Sequence, residues 1–201
     1  SVIAIYLHHT SQFPRNTGIQ RCVRAIARAL ADQGQSIVPL VWNQHRRGLA
    51  LAEPAALDHL ARWNGPSPGA WTLHVPPPGS WLLVVELIVG ASHPSQACLR
   101  QLADRAKWKL AAVFHDAIPL GWGGSPAQNH AQYMVGLAGY DLVLANSHAM
   151  EGTLRQFWQQ QCRQGLMLAP RARLQALRLA EEWPGQPRRL PEVRPSGPLR
   201  L

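Results

Sequence analysis

The 201-residue sequence has few acidic residues and almost no lysine. Asp and Glu number 11 against 20 Lys and Arg, Lys107 and Lys109 are the only lysines, and the formal net charge is +9. Such an excess usually points to nucleic acid or to an anionic membrane surface. The densest basic stretch, however, is residues 163–200, where proline and leucine dilute the arginines. We therefore predict no nucleic-acid partner and keep a basic nucleic-acid binder as a third hypothesis.

Paired cysteines and long apolar runs are absent too. Cys22, Cys98 and Cys162 are far apart and form no CxxC, which indicates reduced cysteines in a reducing compartment. The longest apolar run, residues 81–91, contains Glu86 and is too short to cross a bilayer. The sequence does not begin with a signal-peptide pattern. We expect a cytoplasmic protein, and a peripheral contact with the inner face of the membrane stays open.

Common catalytic and metal-binding motifs are also missing. No GxSxG, P-loop or Cys–His constellation occurs, which argues against a hydrolase, a kinase or a thiol protease. No GxGxxG occurs, so the dinucleotide-binding fingerprint is not met. No pair of histidines has the spacing of metal ligands, and we therefore predict no metal site.

The sequence does contain a regular alternation of strand and helix patterns. Residues 2–7 are an apolar, β-branched run, 18–34 an amphipathic helical pattern, and 36–42 a second apolar run, which together predict a βαβ unit. The same criteria predict strands at 81–89, 109–114 and 140–145, and helices at 57–63, 95–107, 128–137 and 149–161. This alternation predicts an α/β fold with a doubly wound, mostly parallel sheet.

The alternation fades after residue 165. Pro184, Pro187 and the later prolines can sustain neither a helix nor an interior strand. We predict a Rossmann-like domain over residues 1–165 and a linker or tail over residues 166–201.

One candidate site is the loop between the first strand and the first helix. Ligands of open parallel sheets collect outside the carboxyl ends of the strands. Gly18 opens the helix, with Thr17 and Arg21 beside it, and free N–H groups at such a terminus favour phosphate. The alternative is structural: Gly18 permits a tight turn and Thr17 caps the helix.

A second candidate is His115-Asp116, which follows the strand at 109–114. A histidine at this edge can orient a hydroxyl or remove its proton, and Asp116 can bind sugar hydroxyls or hold the imidazole. The alternative is a histidine satisfied by backbone, with Asp116 capping the next turn.

Three further residues are expected to line a cleft at this edge of the sheet. Asn146 and Ser147 follow the strand at 140–145, although capping of the next helix is the stronger interpretation for them. Glu86 lies within an apolar run, where a carboxylate must be paired or must reach the end of the strand. His8, His9 and His93 are also expected in loops at this edge.

Four stretches carry a resemblance to a known family. In order along the chain they are residues 17–24, 38–42, 114–120 and 140–147. They resemble the corresponding stretches of family 4 glycosyltransferases of bacterial polysaccharide and lipopolysaccharide synthesis, over roughly residues 1–160. Residues 179–181, Leu-Ala-Glu, resemble the segment that precedes the second domain in those enzymes.

The resemblance implies a GT-B fold, in which two Rossmann-like domains face a cleft. The N-terminal domain holds a glycan or lipid-linked acceptor, and the C-terminal domain holds the nucleotide sugar, which is a co-substrate; no cofactor or metal stays bound. Gly18, with Thr17 and Arg21, would approach the donor diphosphate. His115 or Asp116 would take the catalytic position on the acceptor side, and Glu86, Asn146 and Ser147 would line the cleft near the acceptor.

The sequence departs from the family by ending at Leu201, where a donor domain would begin. We therefore expect an acceptor-binding half that has little or no transferase activity alone and that needs a donor-binding domain or subunit. The alternative is a non-catalytic module that binds a glycan or a protein partner.

Overall fold

The computed structural model describes residues 2–177, which form one sheet flanked by helices. The strands are β1 (Val2–Tyr6), β2 (Ser36–Asn43), β3 (Gly48–Leu51), β4 (Trp81–Val84), β5 (Lys109–Phe114), β6 (Leu142–Ala145) and β7 (Arg173–Ala176). The helices are α1 (Gly18–Asp32), α2 (Pro54–Ala61), α3 (Gln96–Arg105), α4 (Gly124–Leu137) and α5 (His148–Arg163). Short 3-10 turns occur at Pro68–Ala70 and Ile118–Trp122.

The seven strands lie in the order β3-β2-β1-β4-β5-β6-β7. Neighbouring strands are parallel, except for the antiparallel pair of β2 and β3. The predicted α/β fold with a mostly parallel, doubly wound sheet is confirmed. Strands β2 and β3 lie on one side of β1, whereas β4, β5, β6 and β7 follow one another on its other side. The order therefore reverses between β1 and β4, and crevices for ligands occur at such switch points.

Helices cover the sheet from both faces because neighbouring strand residues point to opposite sides. Leu82 belongs to a core that includes residues of α3, α4 and α5, whereas Leu83 belongs to a core that includes residues of α1 and α2. Such strands are buried on both faces, which explains why their sequences are continuous apolar runs.

The structure differs from the sequence prediction in three strands. The third predicted strand ends at Val84 instead of residue 89, so Glu86 lies just beyond the strand. The short antiparallel strand β3 was not predicted. Strand β7 pairs with β6 inside the segment 166–201 that was interpreted as linker or tail. Its alternation of exposed and half-buried residues fits an edge strand, and four such residues give too weak a pattern to recognise.

Two other expectations concern the ends and the membrane. The Leu-Ala-Glu stretch at 179–181 and most of the predicted tail lie outside the described residues. Within residues 2–177, no helix has the length and apolar character needed to cross a membrane.

Candidate functional site

The candidate site lies where β1, β4, β5 and β6 end, at the carboxyl edge of the sheet. Because parallel strands end at the same edge, the residues that follow them come together: His8 and His9 after β1, Glu86 after β4, and His115 after β5. The reversal between β1 and β4 places the first three of these residues at the switch point.

Glu86 holds the loop that leaves β1. Its side chain is buried, with 2 % of the residue exposed. One carboxylate oxygen accepts the N–H of His9 at 2.9 Å and the other accepts the N–H of Thr10 at 2.6 Å. Burial raises the pKa of Glu86, whereas these hydrogen bonds act in the opposite direction. Glu86 was expected to face the acceptor, and the structure gives it a direct role in positioning the β1–α1 loop.

His8 and His9 of this loop lie close to His93 and to Tyr6 of β1. The Tyr6 hydroxyl and His93 Nδ1 are 3.0 Å apart. The ring of His93 lies 6.0 Å from that of His8 and 6.3 Å from that of His9, between centroids. Burial and the two neighbouring histidines lower the pKa of His93 from 6.5 to about 4. The imidazole of His93 is therefore neutral at pH 7.

No described group of His, Cys, Asp or Glu side chains has the geometry to hold a metal ion. The histidine cluster nevertheless has a polar atom without a partner, because the buried Nδ1 of His8 makes no hydrogen bond among the described residues. Burial, followed by the neighbouring His9, lowers the pKa of His8 as well. The lowered pKa values keep His8 and His93 neutral at pH 7, and both rings lie at the switch point.

The N-terminus of α1 is joined to the same cluster through Gln20. The Thr17 hydroxyl donates to Gln20 Oε1, and Gln20 Nε2 lies 3.2 Å from His9 Nδ1. Thr17 occupies the N-cap position without a capping side-chain hydrogen bond, so the structural alternative for Thr17 is not realised. Gln20 is buried and was not singled out in the sequence. A buried glutamine on the apolar face of an amphipathic helix is the signal that identifies it.

Gly18 and Arg21 are exposed at this terminus. A Cβ built on Gly18 would meet no atom within 4 Å, and the backbone of Gly18 is not in the left-handed region. The described residues therefore neither crowd Gly18 nor require its conformational freedom. The first turn of α1 contains no acidic residue, so its N–H groups and dipole remain suited to an anion.

His115 is fixed by a backbone carbonyl of the neighbouring strand segment. Its Nε2 lies 2.7 Å from the carbonyl oxygen of Val85. Since a carbonyl can only accept, Nε2 carries the hydrogen, and Nδ1 of the neutral ring is the basic nitrogen. Asn146 Nδ2 donates to the carbonyl of His115 at 2.6 Å. The ends of β4, β5 and β6 are thus linked, with Nδ1 of His115 left to act on a ligand.

The structural alternatives are realised for Asp116 and Ser147, and the bond from His115 to the Val85 carbonyl is the backbone contact that the alternative for His115 predicts. One carboxylate oxygen of Asp116 accepts the N–H of Ile118 at 3.0 Å, which fixes the turn after β5. His130, which was not predicted, donates from Nε2 to the carbonyl of Asp116 at 2.9 Å. The hydroxyl of Ser147 caps α5 by accepting the N–H of Met150 at 3.2 Å. These bonds leave one carboxylate oxygen of Asp116 for a ligand.

No protein-family model matches the chain, and no curated protein is significantly similar to it. Its function must therefore be argued from the geometry of this edge. Of the eight predicted site residues, His115 and Asn146 are joined by contacts that link the ends of β4, β5 and β6. Glu86 instead links the end of β4 to the loop after β1, and Asp116 bonds within its own turn. Thr17 reaches the same edge through Gln20 and His9. Gly18 and Arg21 lie at the start of α1, and Ser147 lies at the start of α5.

The assembled edge offers two chemical capabilities. One is an imidazole whose Nε2 is held by a backbone carbonyl, so that its Nδ1 is suited to accept a proton from a hydroxyl or to orient it. The other is a helix N-terminus free of acidic side chains, suited to hold an anionic group. Polar groups suited to a hydroxyl and to an anion are thus present at one edge of the sheet.

Proposed function

We propose that this chain is the acceptor-binding half of a GT-B glycosyltransferase of the family 4 type. Such an enzyme moves a sugar from a nucleotide-sugar donor to a glycan or lipid-linked acceptor. The observation that supports this most is His115, held at the carboxyl edge by Val85 with Nδ1 free to act as a base. Its position beside the switch point of a doubly wound sheet agrees with the order of the four family-like stretches.

In this proposal His115 Nδ1 orients the acceptor hydroxyl or takes its proton, within about 3 Å of the reacting oxygen. The N–H groups at the start of α1 lie near the donor diphosphate, and Gly18 lets that group come close. Glu86 keeps the loop between them in place through His9 and Thr10. In such catalysis, the stabilisation of the negative charge that develops on the leaving diphosphate is the larger contribution.

The proposal requires a donor-binding domain or subunit on the other side of the cleft. The two grooves measured on the described surface, of about 610 and 330 Å³, lie elsewhere. In this proposal the carboxyl edge is one wall of a two-domain cleft. We place the activity in the cytoplasm, at the inner face of the membrane when the acceptor is lipid-linked, with no bound metal and no nucleic acid.

The test is to join this chain to a family 4 donor domain, in one polypeptide or by co-expression, and to assay transfer from a panel of nucleotide sugars. Radiolabelled or mass-tagged donors report any glycan product, whichever acceptor receives the sugar. Transfer that disappears in His115→Gln supports the proposal. No transfer in any pairing, with both domains shown to be folded, would count against it.

A second candidate is a non-catalytic module that binds a glycan or a protein partner. It is favoured by the structural hydrogen bonds of Asp116, Asn146 and Ser147, which are engaged with the backbone. Glycan binding that survives both His115→Ala and Asp116→Ala, together with no transfer in any pairing, would favour this module over the enzyme.

A further inference from the structure

A groove of about 610 Å³ lies at the opposite edge of the sheet from the candidate site. It is formed where β4, β5, β6 and β7 begin and where α3 ends. The six residues of β5 span about 17 Å at the usual rise per residue. The groove is therefore separate from the edge that holds His115.

Two arginines and two aspartates in this groove are paired with one another. Asp141 accepts hydrogen bonds from Arg100 at 2.8 Å and from Arg171 at 2.7 Å, and it also accepts the N–H of Leu110 at 2.8 Å. Arg100 also contacts Asp104 at 2.7 Å. Partial burial would raise the pKa of Asp141, but these partners lower it below its ordinary value. The four side chains form a charge-balanced floor.

Three cationic side chains of the groove have no carboxylate partner among the described residues. Lys107, Lys109 and Arg173 line it and are exposed, and within residues 2–177 none of them forms a salt bridge. The two lysines are the only ones in the sequence. With the floor balanced, the groove carries a positive charge that is available to an anion.

Lys107 adopts a conformation that is unusual for lysine. Its φ is 56°, in the left-handed region, where glycine or asparagine is the common choice and other residues cost about 1 kcal/mol. The N–H of Gly79 donates to the carbonyl of Lys107 at 2.8 Å and supports this turn. Glycine or asparagine would fit this backbone conformation better, yet the position holds Lys107, whose side chain lines the groove.

Two indole rings complete the lining. Trp81 and Trp108 are both half-buried. The Nε1 of Trp108 donates to the carbonyl of Pro76 at 3.1 Å, which fixes the ring. The Nζ of Lys109 lies 5.4 Å from the ring centroid of Trp81, within the range of a cation–π contact. Rigid aromatic surface beside cations suits a ring-shaped ligand that carries negative charge.

We propose that this groove binds an anionic sugar, meaning a sugar ring that bears a phosphate or a carboxylate group. The three cations hold the anionic group, and the indoles pack against the apolar face of the ring. The groove volume of about 610 Å³ is that of a small-molecule site, which favours a single anionic sugar over a nucleic-acid chain. Asp104, whose side chain is 55 % exposed, can accept hydrogen bonds from sugar hydroxyls.

The test compares a groove variant with a control of equal charge. The groove variant is Lys107→Asn, Lys109→Gln and Arg173→Gln, in which asparagine tolerates the left-handed backbone. The control, Arg28→Gln, Arg46→Gln and Arg155→Gln, removes three exposed cations elsewhere. Circular dichroism and thermal unfolding of both variants verify that they are folded. A third variant, Trp81→Leu, removes one indole and keeps an apolar side chain.

Calorimetric titration of the full chain uses four probes: glucose 6-phosphate, trigalacturonate, neutral maltotriose and inorganic phosphate. We expect one or both anionic sugars to bind, with affinity falling roughly tenfold or more in the groove variant and little in the control. The stronger of the two identifies phosphate or carboxylate as the anionic group. Trp81→Leu should weaken binding of the sugar and leave inorganic phosphate unaffected.

Equal affinity for maltotriose would overturn the role of the cations, and equal affinity for inorganic phosphate would overturn the role of the indoles. Titration with a short oligodeoxythymidylate is the last arm. If that oligonucleotide binds more tightly than either sugar and depends on the same three cations, the groove is a nucleic-acid site and the proposal is wrong. No binding of either anionic sugar to the folded chain also overturns it.

Discussion

At the scale of single residues, His115 can be tested by a substitution that separates proton handling from structure. In His115→Gln the amide can still donate to the carbonyl of Val85, but no basic nitrogen replaces Nδ1. In the protein joined to a donor domain, we expect the transfer rate to fall about 10²- to 10⁴-fold. The unfolding free energy of this variant should stay within about 1 kcal/mol of the parent.

His115→Ala is the matched comparison, because it also leaves the Val85 carbonyl without its donor. This variant should lose about 1–3 kcal/mol in urea unfolding as well as transfer activity. Full activity of His115→Gln would show that the imidazole acts only as a hydrogen-bond donor to the backbone.

Glu86 makes a prediction about stability. Glu86→Ala removes the acceptor of two backbone N–H groups, those of His9 and Thr10, and the site is too buried for water to replace it freely. We expect a loss of about 2–4 kcal/mol in urea unfolding. Glu53→Ala, which removes an exposed carboxylate that makes no capping hydrogen bond, should change stability by less than about 0.5 kcal/mol. Similar losses of stability in the two variants would contradict the role of Glu86 in positioning the β1–α1 loop.

His93 makes the stability of the protein depend on pH. Burial and the neighbouring His8 and His9 lower the pKa of His93 from 6.5 to about 4, so between these values the unfolded chain binds more protons than the folded one. Stability from this group is present above pH 6.5 and is lost as the pH falls to about 4. Because His93 is partly exposed, we expect the loss to be about 1–2 kcal/mol. Urea unfolding across this range should show a flatter profile for His93→Asn, and an unchanged profile would contradict the assignment.

The residues of the site were partly accessible from sequence. His115 and Glu86 stood out because titratable side chains next to apolar strands must either be paired or lie at the strand end. What these side chains contact could not be inferred, because Val85, His9 and Thr10 reach them through the pairing of β1, β4 and β5. Gln20 could have been found from its place beside the apolar face of α1, whereas Tyr6 gives no signal because a tyrosine is ordinary in a strand.

At the scale of elements, the start of α1 gives a prediction with a built-in control. Gly18→Ala adds a methyl group that meets nothing within 4 Å, so stability should be unchanged or should rise by up to about 1 kcal/mol. If Gly18 admits the donor diphosphate, transfer by the joined enzyme should nevertheless fall. Gly65→Ala should destabilise the fold, because its Cβ would collide with the carbonyl oxygen of Leu60. Thermal unfolding measured beside transfer separates the two cases, and undiminished transfer by Gly18→Ala would exclude the close approach.

Most of the elements could be predicted, and the exceptions have a physical reason. The buried strands β1, β2 and β5 are continuous apolar runs, and the apolar stripe of α1 is regular, so their patterns are clear. Strands β3 and β7 have four residues each and lie at the edges of the sheet. An edge strand is stabilised by pairing with its one neighbour more than by its own sequence, and a short pattern of this kind is not distinctive.

At the scale of the whole molecule, strand order could not be obtained from the alternation of helices and strands. That pattern predicts parallel neighbours, but the reversal between β1 and β4 depends on which side of β1 the chain returns to. The reversal brings Glu86 against the β1 loop and places the histidine cluster at the switch point. The individual candidates were predicted, whereas their assembly into one site follows from the sheet order.

The net charge is also a property of the whole molecule, and it leads to a prediction about nucleic acid. Arg24 is buried in the interior, and Arg28 and Arg155 are each paired with a carboxylate of their own helix. Charge neutralised or buried in this way releases few counterions when a polyanion approaches.

We therefore expect weak binding of duplex DNA at about 50 mM salt and none measurable at about 200 mM, with a shallow dependence of affinity on salt. Fluorescence anisotropy with a labelled duplex measures this, and the Arg28, Arg46 and Arg155 triple variant serves as the comparison. A steep salt dependence with tight binding at the higher salt would restore the nucleic-acid hypothesis. The absence of such binding would agree with the proposal that the basic groove takes a small anionic ligand.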